Sequence, residues 1–200
     1  MTNISQKWLN GIDGTALAIA RVFTQNYAKK MHGSDIAKRL CMPQKTVSRK
    51  LNRLCNLGVL KYVREGKNKL YFIDKESPFI FHFLVLVESY KAVKFLLGNQ
   101  KISSILKDIS CGKIIFGSYA NDTKNKNSDL DIVFLCKKNR KVEEALGRFP
   151  VNVHAQFSTI QDLRKKLREK NTLALEIAEN HIILDNLDEV IKLFMEYWYG

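Results

Sequence analysis

Apolar positions recur at helical spacing early in the chain, then alternate, and then return to helical spacing. Leu17, Ile19, Ala20, Val22, Phe23 and Tyr27 keep a period near 3.6, which predicts a helix over residues 15–30. Before it, Met1 to Gly14 carries Trp8, Leu9 and Ile12 among polar residues and reads as a short arm or leading helix. Gly33 breaks the chain, and Ser34 is placed to cap a short helix that turns Ile36, Ala37 and Leu40 inward. After the turn Cys41-Met42-Pro43, a helix is expected from Gln44 to Leu57, ended by Gly58. Val47, Leu51, Leu54 and Leu57 form its apolar stripe. Val59–Arg64 and Lys69–Ile73 read as strands joined by the turn Glu65-Gly66-Lys67-Asn68.

Ser77-Pro78 signals the start of a long helix over Phe79–Leu97, broken by Gly98-Asn99. Ile102–Ile109 reads as a further short helix, and Ile114-Ile115-Phe116 as a buried strand that stops at Gly117-Ser118. A second strand opens at Asp129, and the basic loop Lys137–Arg140 follows it. Val142–Phe149 reads as helix and Val151–Phe157 as a third strand. Helices over Ile160–Lys170 and Leu173–Glu179, a short strand at Ile182–Leu184 and a last helix with Val190, Leu193, Phe194, Tyr197 and Trp198 on its apolar face complete the chain. The expected class is α+β in two parts: residues 1–76, a connecting helix over 77–100, and residues 101–200 with a small mixed sheet flanked by helices.

Charge sharpens this division. Residues 1–80 hold 15 Lys and Arg against 5 Asp and Glu, whereas residues 81–200 hold 18 against 15. An excess concentrated on one module points to a polyanionic partner. The most apolar stretch, Phe79–Val87, is too short to cross a bilayer and ends at Glu88, so no membrane partner is expected. Met1–Leu17 lacks an apolar run behind a basic start, and the four cysteines form no C-x-x-C pair. A reduced, cytoplasmic setting follows as the expectation.

The candidate chemistry lies in K-I-I-F-G-S-Y-A-N-D-T-K-N-K-N-S-D-L-D-I-V-F-L, residues 113–135. Side chains alternate faces along a strand, so Asp129 and Asp131 share one side while Leu130 and Ile132 enter the core. Two neighbouring carboxylates repel, and a divalent cation with phosphate completing its shell removes that cost. Gly117 permits close approach of a ligand, and Ser118 supplies a hydroxyl beside backbone amides. This spacing resembles the nucleotidyltransferase superfamily that includes polymerase beta, and within it the minimal nucleotidyltransferases. The resemblance implies that Mg²⁺ (or Mn²⁺) sits on Asp129 and Asp131, and that a nucleoside triphosphate is held by Gly117, Ser118 and Ser128. It also implies a third carboxylate from a neighbouring strand, and Val151–Phe157 contains no acid. Asn152 stands at the expected place; other registers present Val151, Val153 or His154. Asn152 can orient a water but cannot take its proton, whereas His154 is a competent base.

In the basic part, Lys45, Arg49, Asn52 and Asn56 face away from the apolar stripe of Gln44–Leu57, with Ser48 and Arg53 at its edges. Residues Ser34–Ile73 resemble the winged helix-turn-helix families of bacterial and archaeal regulators. The resemblance implies that this helix enters the major groove of double-stranded DNA while Lys67 and Lys69 of the hairpin touch the backbone, with a homodimer as the working form. The reading of the whole chain is a DNA-binding transcriptional regulator whose second part binds Mg-nucleotide. The alternative is an active nucleotidyltransferase acting on a hydroxyl of a small molecule or partner protein.

Overall fold

The computed structural model describes residues 11–121 and 123–200, and the expected leading arm with Trp8 and Leu9 lies outside them. The fold is α+β, with two small sheets in two compact units, residues 1–87 with Tyr199 and residues 88–198 with Gly200.

In the first unit, helix α1 (Gly14–Ala20) is followed by strand β1 (Met31–His32), helices α2 (Gly33–Arg39) and α3 (Gln44–Asn56), and strands β2 (Leu60–Glu65) and β3 (Asn68–Ile73). The sheet order is β1-β3-β2, antiparallel throughout. Helix α1 stops well short of residue 30. Val22 and Phe23 instead donate to carbonyls three residues back, Ile19 and Ala20, at 3.2 and 3.0 Å, while Thr24 Oγ1 bonds the Arg21 carbonyl at 3.2 Å. Val22, Phe23 and Tyr27 are nevertheless buried, so their spacing records burial rather than helix.

Ser34 does not cap α2. Pairing of Met31 with Tyr71 and of His32 with Leu70 draws the chain straight into the helix, leaving His32 at the cap without a side-chain bond and Ser34 exposed within the first turn. Helix α3 buries Val47, Leu51 and Leu54 against α1, α2 and β2. Lys50 on α3 pairs with Asp13, whose carboxylate also caps α1 through Ala16 N–H at 2.9 Å. The Lys50 hydrogen bond comes first among the causes that hold the Asp13 carboxyl below its ordinary range.

Helix α4 (Ile80–Gly98) spans the division between the units. The second unit continues with α5 (Gln100–Leu106), β4 (Lys113–Phe116), α6 (Gly117–Ala120), β5 (Leu130–Phe134), α7 (Arg140–Leu146), β6 (Val153–Phe157), α8 (Ile160–Arg168), α9 (Thr172–Glu179), β7 (Ile182–Ile183) and α10 (Leu187–Tyr199). Its sheet is mixed, in the order β6-β5-β4-β7, with β5 and β6 parallel and the other pairs antiparallel. Leu130, Ile132 and Phe134 enter a core with Ile115, Phe95 and Leu106, while Ile114 and Val133 are buried on the opposite face. Burial of alternate residues on both faces fixes the register, because a slip of one residue would exchange the two sets. The basic loop after β5 is tied locally: Asn139 caps α7, Lys138 pairs with Glu143 at 2.8 Å, and Arg140 pairs with Glu144 at 2.7 Å. Among the described residues, no helix is long and apolar enough to cross a membrane.

Candidate nucleotide site and basic face

The site forms where β4 ends and β5 begins. Phe116 pairs with Asp131, so Gly117, the next residue, lies against the Asp131 side chain. Gly117 has φ +63°, and a Cβ built on it would overlap Asp131 Oδ2 and lie 3.0 Å from Asp131 Cγ. A residue with a side chain is therefore excluded twice, by backbone conformation and by space. Asp129 immediately precedes β5, and it and Asp131 turn to the same side. Both reach one imidazole, His154 Nε2 at 3.5 Å from Asp129 Oδ2 and His154 Nδ1 at 3.3 Å from Asp131 Oδ1.

The third strand supplies that imidazole by register. Parallel pairing of β5 with β6 sets His154 opposite Asp131, and Leu130 N–H donates to the Asn152 carbonyl at 2.8 Å. Asn152 therefore acts through its backbone, one position before β6, and its side chain is exposed. Of the registers open in the sequence, the pairing sets His154, and not Asn152, opposite Asp131. His154 lies in β6 with 63% of its side chain accessible.

Ser118 sits half-buried in α6, directly after Gly117. Ser128 is committed to the loop, its Oγ accepting from Asn125 N–H at 2.9 Å. Tyr119 and Lys124 are neighbours that the sequence reading overlooked. Burial, then the charge of Asp129, raises the Tyr119 phenol above its ordinary pKa, which places Asp129 within electrostatic reach. Lys124 Nζ stands 4.7 Å from the Tyr119 ring centroid and donates to Asn99 Oδ1 at 2.6 Å. The lysines of T-K-N-K-N between glycine turn and acids were the available signal.

Among the described residues, no group of three or more His, Cys, Asp and Glu side chains is arranged as a metal centre. Two converging carboxylates nevertheless fit a small hard cation that keeps water and takes its remaining oxygens from phosphate. The bare α-carbon of Gly117 beside them fits the close approach of such a ligand.

Residues 99–185 match the nucleotidyltransferase domain family. The matched span contains Gly117, Ser118, Ser128, both acids and His154. No curated protein and no solved structure gives a significant match to the chain. Within the matched span Gly117 lies against Asp131, Asp129 turns to the same side, and His154 stands on the adjoining strand.

In the first unit, Lys45, Ser48, Arg49 and Asn52 are exposed on α3, with Arg53 half-buried. Ser48, Lys67 and Lys69 line one groove with His32 and Tyr71, while Arg49, Asn52 and Arg53 line another with Asn56. Lys45 lies outside both. Lys69 Nζ donates to Asn52 Oδ1 at 3.2 Å and stands 4.0 Å from the Tyr62 ring centroid, so these two candidates engage one another across helix and hairpin.

Proposed function

We propose that this chain is a DNA-binding regulator whose nucleotidyltransferase domain binds a Mg²⁺-nucleoside triphosphate. The observation that carries the nucleotide half is the packing of Gly117 against Asp131 with Asp129 turned to the same side. Asp129 and Asp131 would hold the cation, which when bound supplies neutralisation of phosphate charge. Gly117 leaves room for the phosphates, and Ser118 offers a hydroxyl beside them. Replacing the third acid by His154 favours binding and sensing over turnover. Nucleotide then shifts DNA affinity only as far as it binds two states of the protein unequally.

The second reading, an active transferase, is favoured by one specific contact. His154 lies within 3.5 Å of both acids, where a base could accept a proton from an acceptor hydroxyl. Asp129→Ala is expected to weaken Mg²⁺-dependent nucleotide binding roughly tenfold or more, since a hydrogen-bonded or ligating charge is lost. Titration with and without Mg²⁺ measures this; unchanged affinity would remove the site. Transfer of nucleotide label to an acceptor in wild type, lost in both Asp129→Ala and His154→Ala, would establish the second reading over the first.

The DNA half rests on the exposed polar and basic side chains of α3 beside the hairpin lysines, in the order expected of a winged helix-turn-helix. Acting on a two-fold site, the chain would work as a homodimer. Affinity for duplex DNA is expected to fall steeply with salt, and Arg49→Ala to lower the slope by about one phosphate contact. A flat salt response rejects phosphate recognition by this unit.

A further inference from the structure

The β4–β5 pair carries a second chemistry at the end remote from Asp131. Its ladder runs from Phe116 opposite Asp131 to Lys113 opposite Phe134. One position further out, Leu135 N–H donates to the Gly112 carbonyl at 2.7 Å. Continuing the register by one more residue sets Cys111 opposite Cys136. Bonded and non-bonded pairs alternate along an antiparallel ladder, so the position beyond 112–135 is a non-bonded one, where opposed side chains stand closest. The α-carbon separation at such positions, roughly 4.5 Å, lies within the range a disulfide spans.

Gly112 permits this closeness, since a Cβ there would stand 3.0 Å from Leu135 Cδ1 and 2.5 Å from Asn186 Oδ1. Both cysteines are free, half-buried and packed against the same core cluster. Burial first, and then the neighbouring Cys136, pushes the Cys111 thiol up to about 12. Asn139 Nδ2 donates to Cys136 Sγ at 3.7 Å from the outer side. Cys41 and Cys55 belong to the first unit, and Cys41 Sγ is directed to the Lys38 carbonyl at 3.9 Å.

We propose that Cys111 and Cys136 form a redox modification site that a low-molecular-weight disulfide of the glutathione class oxidises to a cross-strand disulfide. The Cys136 thiolate attacks one sulfur of the oxidant, breaking its S–S bond, forming a mixed disulfide and releasing one small thiolate. The Cys111 thiolate then attacks the Cys136 sulfur, forming the internal bond and releasing the second. The protein pair loses two electrons and two protons, and the oxidant becomes two thiols. The loop closed by the new bond contains Gly117, Ser118, Asp129 and Asp131, so oxidation staples the two strands that carry the nucleotide site. This inference is independent of the proposed function.

Full-length protein is incubated with oxidised glutathione, its remaining thiols are alkylated and its peptides are mapped. One peptide pair joined through Cys111 and Cys136 is expected, with an upward shift in Tm of roughly 5–10 °C that dithiothreitol reverses. The same link and shift are expected in the Cys41→Ser/Cys55→Ser variant, which leaves the pair intact, and neither is expected in Cys136→Ser. Separate glutathione adducts on the two residues overturn the proposal, as do a link made only through Cys41 or Cys55 and thiols at 111 and 136 that stay fully alkylatable. A linked protein melting at the reduced protein's temperature overturns the stapling.

Discussion

Gly117→Ala is expected to destabilise the second unit and to abolish measurable nucleotide binding. Two independent effects act together. At φ +63° an L side chain costs about 1–2 kcal/mol of backbone strain. The added methyl would also overlap the Asp131 carboxylate, whose backbone cannot retreat because Asp131 is paired with Phe116 and, through β6, with His154. The carboxylate must rotate out of line with Asp129, so the acid pair is lost although both acids remain. Gly66 provides the control: its φ is +59°, but nothing lies within 4 Å of a Cβ built there. Gly66→Ala should therefore show the strain alone and leave nucleotide affinity unchanged. Melting curves and nucleotide titrations on both variants make the comparison. Wild-type affinity in Gly117→Ala would refute the account of the site given above.

Glu88→Ala is expected to cost roughly 3–5 kcal/mol, the range for removing one member of a buried ion pair. The Glu88 carboxylate is fully buried, with Lys91 Nζ 3.0 Å from Oε1 and 2.7 Å from Oε2, and His181 Nε2 3.3 Å from Oε1. Burial alone would raise the Glu88 pKa, but the charge of Lys91 and then that of His181 outweigh it and hold it at about 2. Burial, followed by the charge of Lys91, keeps His181 below its ordinary 6.5 despite the pull of Glu88, and its ring lies 4.6 Å from that of Phe194.

Both depressed pKa values act in the same sense. Each group binds protons more readily in the unfolded chain, so each contributes stability that falls as pH falls. The His181 contribution declines below about 6.5, and that of Glu88 declines below its ordinary 4.5 and is lost through about 2. The urea midpoint should therefore drop between pH 7 and pH 5, and His181→Gln should flatten that drop. A wild-type midpoint equal at the two pH values would remove His181 from this role.

The parts of the molecule legible from the sequence are those that repeat a period. Two-residue alternation at Asp129-Leu130-Asp131-Ile132 gave one polar and one buried side, and the stripe Val47-Leu51-Leu54 gave the buried face of α3. Features set by pairing between distant segments were not legible. Strand β1 is two residues long and exists only because Tyr71 and Leu70 lie beside it. The choice among Asn152, Val151, Val153 and His154 depends on which carbonyl Leu130 bonds, and no local pattern states that. Glu88 reads simply as the end of an apolar run, because its partner His181 is supplied from far along the chain. Cys111 and Cys136 carry no motif spacing, and only the ladder brings their segments side by side.

Strands β4 and β5 are joined by α6 and a polar excursion through residues 123–127, while Gly117 and Asp131 are held together by the ladder itself. The ladder fixes the acids, and the connecting stretch is not part of it. Length and composition can therefore change between residues 123 and 127 without moving Gly117 or Asp131.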